Sequence, residues 1–274
     1  MDFKADLHCH STMSDGTKTP EELLALAKEI GLSGLSITDH DTVEAYTKTL
    51  FDQAKEIDLF LGTGIELSCL HNKKESVHIL GYAFDYTSDV LRSFCKKHQE
   101  RRFTRNKEMI SKLEKMGMPI GDDWLLDANG NPKWGIGRPH IAEKLIDKGY
   151  VKDIKDAFGR YIGDGKSAYV PSGSFSVEES IDVIHEAKGK AFIAHPHLIQ
   201  KNRTLNALLE MDFDGIECHY GNFAADVAQK WITICEEKNW LISGGSDYHG
   251  DIKPETRLGK RFVTWDLYQK IFNV

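Results

Sequence analysis

The sequence predicts an α/β protein built on a parallel sheet, open or closed into a barrel, that carries a helical insertion. Three observations predict it. Strand-like and helix-like stretches alternate through the first and last thirds of the chain. Between them, residues 88–166 have helical patterns and no strong strand. His, Asp and Glu recur at the ends of the strand-like runs, and parallel barrels gather those ends on one face.

The first strand covers 3–9. Side chains alternate across a strand, so Asp6, His8 and His10 are expected on one face and Ala5, Leu7 and Cys9 on the other. Two imidazoles spaced in this way can grip one cation. After the turn Ser14-Asp15-Gly16, Thr19-Pro20-Glu21-Glu22 opens a helix. Thr19 caps it, Pro20 suits its first turn, Glu22 closes a capping box and Gly31 ends it. A short strand at 35–38 precedes a helix over 43–57, and apolar strand-like runs follow at 59–67 and 77–84. In the insertion, 88–116 is helical and highly charged. A stretch with Gly, Asn and Pro follows at 117–139, then helical patterns at 139–147 and 153–161. Residues 1–87 and 167–274 are thus expected to form the barrel. After Tyr169-Val170-Pro171, helices at 176–188, 204–211 and 224–237 precede strands at 191–194, 215–217 and 240–243.

The bulk properties fit this architecture and exclude others. A length of 274 residues suits one large α/β barrel, and 41% hydrophobic residues supply a full core. The net charge of −7 argues against an extended nucleic-acid-binding surface, though not against a small positive pocket. Met1-Asp2-Phe3-Lys4 has no signal-peptide pattern, and no apolar run reaches membrane-spanning length. Cys9, Cys69, Cys95, Cys218 and Cys235 are scattered, odd in number and without CxxC spacing, which reads as reduced, mostly buried thiols in a cytoplasmic protein. No protein partner is inferred.

The strand-end residues carry the chemistry. They are His8 and His10, Asp39-His40-Asp41, Glu66, His78, His195, Glu217-Cys218-His219 and Asp247-Tyr248-His249. One buried histidine is usually a satisfied core residue, but a whole series at strand ends is a site. Imidazole and carboxylate without thiolate suit zinc, manganese or iron. A carboxylate such as Glu66 can bridge two ions, and clustered ions activate water and clamp an anionic oxygen. Three divalent ions would bring about +6 against roughly −3 from Asp15, Glu66 and Asp247, leaving a cavity attractive to phosphate.

Asp-Leu-His-Cys-His-Ser, Thr-Asp-His-Asp, Gly-Ile-Glu, Ala-His-Pro and Ser-Asp-Tyr-His, in that order, resemble the motifs of the polymerase and histidinol phosphatase (PHP) family. The resemblance covers the chain outside the insertion. It implies a distorted (β/α)7 barrel with a trinuclear site of Mn, Fe or Zn. By position, it implies that His8, His10, Glu66 and Asp247 hold the first ion. Glu66, His78 and His195 would hold the second, and Asp15, His40 and His249 the third. Asp6 and Asp39 would orient the imidazoles from behind. His8, His10, Glu66, His195, Asp247 and His249 are then the residues expected to carry catalysis.

Gly137-Arg138-Pro139-His140-Ile141-Ala142 and Ala168-Tyr169-Val170-Pro171 resemble a bacterial subgroup that dephosphorylates 3′,5′-bisphosphonucleotides and trims short RNA from the 5′ end. The expected partner is therefore a phosphorylated small molecule or a short oligonucleotide. Relatives in that subgroup often continue Ala-His-Pro with Gly-Arg, whereas here His197-Leu198 follows Pro196; this departure bears on substrate, not on phosphoesterase chemistry. The candidate substrate contacts are Arg138, whose guanidinium can pair with phosphate, together with His197, Lys166 and Arg101. Arg101 and Arg105 share a helix face that could lean over the site. Lys166 in Gly163-Asp164-Gly165-Lys166 lacks P-loop spacing and is only a possible contact. Two alternatives stand beside this reading. Histidinol-phosphate phosphatase shares barrel and metals, but its substrate gives no obvious need for a lid. A non-catalytic PHP scaffold would be expected to lose ligands, and here each position is filled.

Overall fold

The computed structural model describes residues 2–73, 75–171, 175–221, 223 and 225–274. Seven strands form one sheet in sequence order: β1 (Ala5–Cys9), β2 (Gly34–Ile37), β3 (Phe60–His71), β4 (Glu75–Tyr82), β5 (Lys190–Ile193), β6 (Gly215–Tyr220) and β7 (Leu241–Gly245). The sheet curls until β7 reaches β1. Asp247 N donates to His8 O (2.7 Å) and His10 N donates to Tyr248 O (2.9 Å), which nearly closes a barrel. The closure needs glycine: a Cβ on Gly245 would lie 2.3 Å from His8 N.

The sheet is mixed, and this corrects the expectation of parallel strands throughout. β4 runs antiparallel to both β3 and β5. Only three residues separate His71 from Glu75, and the two described, Asn72 and Lys73, have positive φ, so the chain reverses directly instead of crossing over through a helix. His78 therefore sits near the start of its strand, opposite Ser68, yet faces the same end of the barrel as the C-terminal ends of the parallel strands. β1 also departs from simple alternation. Its pairing with β2 shifts between Asp6 and Cys9, a bulge that adds one residue to the strand. As a result Ala5 and Leu7 join one apolar cluster with Tyr82 and Phe192, while Cys9 packs in another with Leu35 and Ile37.

Helices cover the outside. α1 (Pro20–Glu29) starts at the expected box, with Glu22 N bonded to Thr19 Oγ1 (3.2 Å) and Thr19 N to Glu22 Oε2 (2.8 Å). α2 (Lys48–Glu56) is shorter than the expected 43–57 because Thr47, not a residue before it, caps the helix. α3 (Asp89–Lys115) is the long helix of the insertion, followed by α4 (Arg138–Asp147) and α5 (Ile154–Ala157), which runs into a single π turn over Phe158–Ile162. Around Met109, Ile110, Leu113, Ile141, Leu145 and Ile162 the insertion builds an apolar cluster of its own. α6 (Val177–Glu186), α7 (Asn202–Leu208) and α8 (Ala225–Lys238) return to the barrel; the expected start of the last at 224 lies outside the described residues. α9 (Trp265–Phe272) buries Tyr268 and Ile271 beside Phe192 and Tyr82. No described helix is long and apolar enough to cross a membrane. All five cysteines are free and buried.

Candidate metal centre

Glu66 is the centre of the site. It lies on β3 one side of the barrel mouth, 1% exposed, and faces five imidazoles. Its Oε2 lies 3.2 Å from His8 Nε2, 3.1 Å from His10 Nε2 and 3.4 Å from His40 Nδ1. Its Oε1 lies 2.7 Å from His78 Nδ1 and 2.8 Å from His195 Nε2. Burial alone would raise this carboxyl, but His40, His78 and His8 around it hold it well below the ordinary range.

The other two acids sit at the flanks. Asp247 Oδ1 lies 3.4 Å from His8 Nε2 and 3.3 Å from His10 Nε2. Its Oδ2 accepts from Tyr220 Oη and Lys253 Nζ, each at 2.8 Å, so one oxygen is tied back while the other faces the centre. Asp15 Oδ1 lies 3.4 Å from His249 Nε2 and 3.6 Å from His10 Nδ1, and its Oδ2 lies 3.8 Å from His40 Nε2. Both carboxyls are depressed: burial raises each, but His40 and His249 outweigh it for Asp15, and Lys253, His249 and His8 for Asp247.

The imidazoles divide by what surrounds them. Burial lowers His8 and His10, yet the acids win: Glu217, Glu66 and Asp247 push His8 well up, and Asp247, Glu66 and Asp15 push His10 up to about 9. Burial wins for His40, which falls to about 3.

This donor set fits divalent ions. Three groups of donor atoms lie within 4.8 Å of one another: His8, His10, Glu66 and Asp247; His10, Asp15, His40 and His249; and His40, Glu66 and His78. Both ring nitrogens of His10 and Nδ1 of His40 are buried without a hydrogen-bond partner among the described residues. They stand close to carboxylate oxygens but are not aligned to bond with them. Nitrogens and anionic oxygens that converge on shared points without bonding each other suit a cation between them.

The groups differ in detail from those the resemblance implies. His10 and His40 each reach two groups. His195 approaches Glu66 Oε1 from the cavity side but does not complete a mutual set. Among the described residues, Asp6 and Asp39 touch no imidazole through a hydrogen bond. Asp6 accepts from the backbone of His8 (3.1 Å), Ser246 (3.0 Å) and Gly259 (2.8 Å), and burial still raises it to about 6. Asp39 accepts from Ser11 N and Oγ and from Ser14 Oγ, at 2.6–2.8 Å. Both acids fix the backbone that carries the histidines. The imidazole-orienting role belongs to Glu217: its Oε1 lies 2.7 Å from His8 Nδ1 and its Oε2 accepts from His195 N at 2.8 Å. Glu217 carries its own signal in the sequence, a carboxylate on a strand that ends at the barrel mouth. His195 and Asp247 also hold left-handed backbone, with φ of 27° and 58°. That conformation costs energy in residues with a Cβ and is typical of functional turns.

A cavity of about 610 Å³ opens onto the cluster through His78 and His195, with Arg138, Tyr169, Leu198 and Lys201 also on its wall. Arg138 Nη1 lies 2.5 Å from Asp164, itself 59% exposed, and its guanidinium lies over Phe158 and Tyr169 at 5.4 and 5.5 Å. The other expected substrate contacts fall elsewhere. His197 stacks on Phe223 (5.0 Å) and Tyr220 (6.0 Å), and burial, then His195 and His219, lower it to about 4. Lys166 is exposed and outside the cavity wall, though Asp164 and Gly165 are part of it. Arg101 is exposed, with its guanidinium 4.2 Å from the Phe175 ring centre.

The barrel and its site define a metal-dependent phosphoesterase. The PHP domain matches residues 6–129. A 5′-3′ exoribonuclease of Salmonella typhimurium is 33% identical over 267 residues, covering 93% of this chain and 88% of that protein. The 3′,5′-nucleoside bisphosphate phosphatase of Chromobacterium violaceum is 33% identical over 249 residues, covering 89% and 86%. A solved structure from Bifidobacterium adolescentis, provisionally named a metal-dependent phosphoesterase, superposes with a TM-score of 0.86 at 30% identity, over 98% of this chain and 95% of that one. The chain belongs to the PHP family, close to its bacterial exoribonuclease and nucleoside bisphosphate phosphatase members.

Proposed function

We propose that this chain removes phosphate from nucleoside 3′,5′-bisphosphates and trims short RNA from the 5′ end, using three divalent ions, with residues 88–166 as a lid on the barrel. The observation that carries this reading is the cavity that joins the metal candidates, at His78 and His195, to the Arg138 guanidinium on the insertion. It offers a reacting phosphate and a second anion separate places in one enclosure. The relatives that share the length of the chain act, by name, on these two substrate classes.

His8, His10, Glu66 and Asp247 would hold the first ion. Glu66, His78 and His195 would hold the second, with His40 in reach. Asp15, His40 and His249 would hold the third, with His10 in reach. Manganese, iron and zinc all accept this mixture of nitrogen and oxygen donors. When bound, such ions make water nucleophilic near neutral pH and neutralise charge on phosphoryl oxygens. The protein's own part is positional. Glu217 keeps His8 Nε2 turned to the centre, and Tyr220 with Lys253 keeps Asp247 Oδ1 there. The insertion narrows access of water to the cavity, and Arg138 can leave the exposed Asp164 for a substrate phosphate, since a solvated ion pair is worth little.

Phosphate release in manganese, compared for a 3′,5′-bisphosphonucleotide, a short 5′-phosphorylated RNA and histidinol phosphate, tests the reading. Faster use of the first two is expected. Preference for histidinol phosphate would replace the substrate assignment, and no release from any of them would return the chain to a scaffold role. Arg138→Ala should cost the bisphosphonucleotide about 1.5–3 kcal/mol in transition-state stabilisation beyond any loss with a small aryl phosphate, measured as a ratio of kcat/KM values. Equal losses on both would place Arg138 at the reacting phosphate or in the fold.

A further inference from the structure

The insertion contains a buried cation with no carboxylate at ion-pair distance among the described residues. α3 turns Arg102 and Arg105 inward, 9% and 5% exposed. Arg102 has its counter-charge: Nη2 bonds Asp41 and Ser68 Oγ. Arg105 has none. No carboxylate among the described residues lies within ion-pair distance of it, and its Nε and Nη2 both donate to Oδ1 of the adjacent Asn106, at 3.2 and 2.7 Å. Its Nη1 makes no hydrogen bond among the described residues. Burial, then the neighbouring Arg102 and Arg138, act against its charge, and Asp41 and Tyr169 offset them only in part. A guanidinium does not escape by losing a proton. A buried charge left in this way is costly, so its retention calls for an anion that arrives from outside.

Its surroundings say where that anion sits. Asn106 Nδ2 donates to Ile136 O at 2.9 Å, which ties Arg105 to the segment leading into Arg138. At Gly137 an added Cβ would lie 3.6 Å from Arg102 Nη1 and 3.7 Å from Asp15 Oδ2, so the start of the Arg138 helix lies beside both the Arg102 guanidinium and the metal-candidate Asp15. Arg102 Nη1, like Arg105 Nη1, makes no hydrogen bond among the described residues. α4 begins at Arg138; Gly137 offers no capping side chain and gives its own N–H to His140 Nδ1 at 3.0 Å, so the positive end that the first turn leaves open adds to the same region.

We propose that Arg105, with Arg138, forms a subsite for a substrate phosphate next to the one that is cleaved, and that Arg102 lends it charge while anchored on Asp41. The proposal deepens the phosphoesterase reading and rests on it for the role of the anion. Its binding half can be judged without catalysis.

Inorganic phosphate added to chelated, metal-free protein is the probe, read as a shift in Tm. Wild type should be stabilised by a few degrees at saturating phosphate. Arg105→Met should be more stable than wild type without phosphate, because it removes an unpaired buried charge, and should lose most of the phosphate-induced rise. Arg105→Lys, which keeps the charge without the fork, should keep only part of that rise. With manganese restored, Arg105→Met should lower the ratio of kcat/KM for the bisphosphonucleotide over an aryl phosphate at least roughly tenfold, as for a lost charge-assisted contact. A full phosphate response in Arg105→Met, lower stability of that variant in phosphate-free buffer, or an unchanged efficiency ratio would each make Arg105 a structural residue and overturn the subsite. If the wild type is stabilised by phosphate through Arg105 but releases phosphate from no substrate, the phosphoesterase reading fails and the anion site stands.

Discussion

Glu66→Ala is expected to empty most of the metal centre and to lower phosphate release by more than about 100-fold, since even residues behind a ligand are worth 10–100-fold. The reason is geometric. Five imidazoles from β1, β4 and three loops come within 3.4 Å of its two oxygens. No second carboxylate among the described residues reaches both sets: Asp247 meets His8, His10 and His249, whereas Asp15 meets His10, His40 and His249. Without Glu66 the site divides into two partial halves. Glu66→Gln separates charge from shape, and should retain the fold while losing most of the metal. Elemental analysis after loading with manganese or zinc should give more than one ion per wild-type chain and a clear loss in both variants. Wild-type protein with almost no metal, whose activity survives chelation, would defeat the metal assignment.

The chemistry of this centre was largely legible because strand periodicity and strand ends are short-range signals. Asp6, His8 and His10 declare themselves within five residues, and His40, Glu66, His195 and Asp247 each follow an apolar run. What escaped was set by longer-range structure. The bulge in β1 that separates Cys9 from Ala5 and Leu7 depends on pairing with β2. The antiparallel course of β4, which brings His78 to the mouth from the opposite direction, depends on a turn that strand patterns do not reveal. Asp6 and Asp39 had the charge and position to orient imidazoles, but backbone amides and, at Asp39, the Ser11 and Ser14 hydroxyls occupy their oxygens. α3 is the most instructive case. The sequence shows it as helical and highly charged, yet Leu91, Cys95, His98, Arg102, Arg105 and Met109 are buried at spacings of three and four. The stripe is helical and continuous; it was hidden because three of its members are cationic or titratable. A polar residue at a core spacing is a sequence signal for a buried functional group.

Asp41→Asn is expected to destabilise the protein by about 3 kcal/mol, as the breaking of one side of a buried ion pair does. Asp41 is 2% exposed, follows His40, and ties the insertion to the barrel at the rim of the centre. One carboxylate oxygen pairs with Arg102, while the other accepts from Ser68 N at 2.7 Å and lies 3.4 Å from His98 Nδ1. Its own N–H donates to Glu66 O at 2.9 Å. Asparagine tolerates the φ of 57° found there and keeps a similar shape, so the variant removes charge and little else. Burial raises this carboxyl, but Arg102, His98 and His40 hold it well below its ordinary value. A group depressed in the folded state adds stability that is fully present above its unfolded pKa, about 4, and is lost as pH falls toward the folded value. Urea melts should therefore show the deficit of Asp41→Asn to be full at pH 7 and to shrink as the pH is lowered below about 4. A deficit independent of pH would mean that packing, not the Arg102 pair, sets the cost. Because the same residue follows His40 and bonds the backbone of Glu66, loosening it should also lower metal content. Arg102→Met should do the same from the other partner, and combining the two substitutions should cost less than the sum of their separate effects. Additive costs would show that the two side chains act independently, and that the insertion is not coupled to the centre through them.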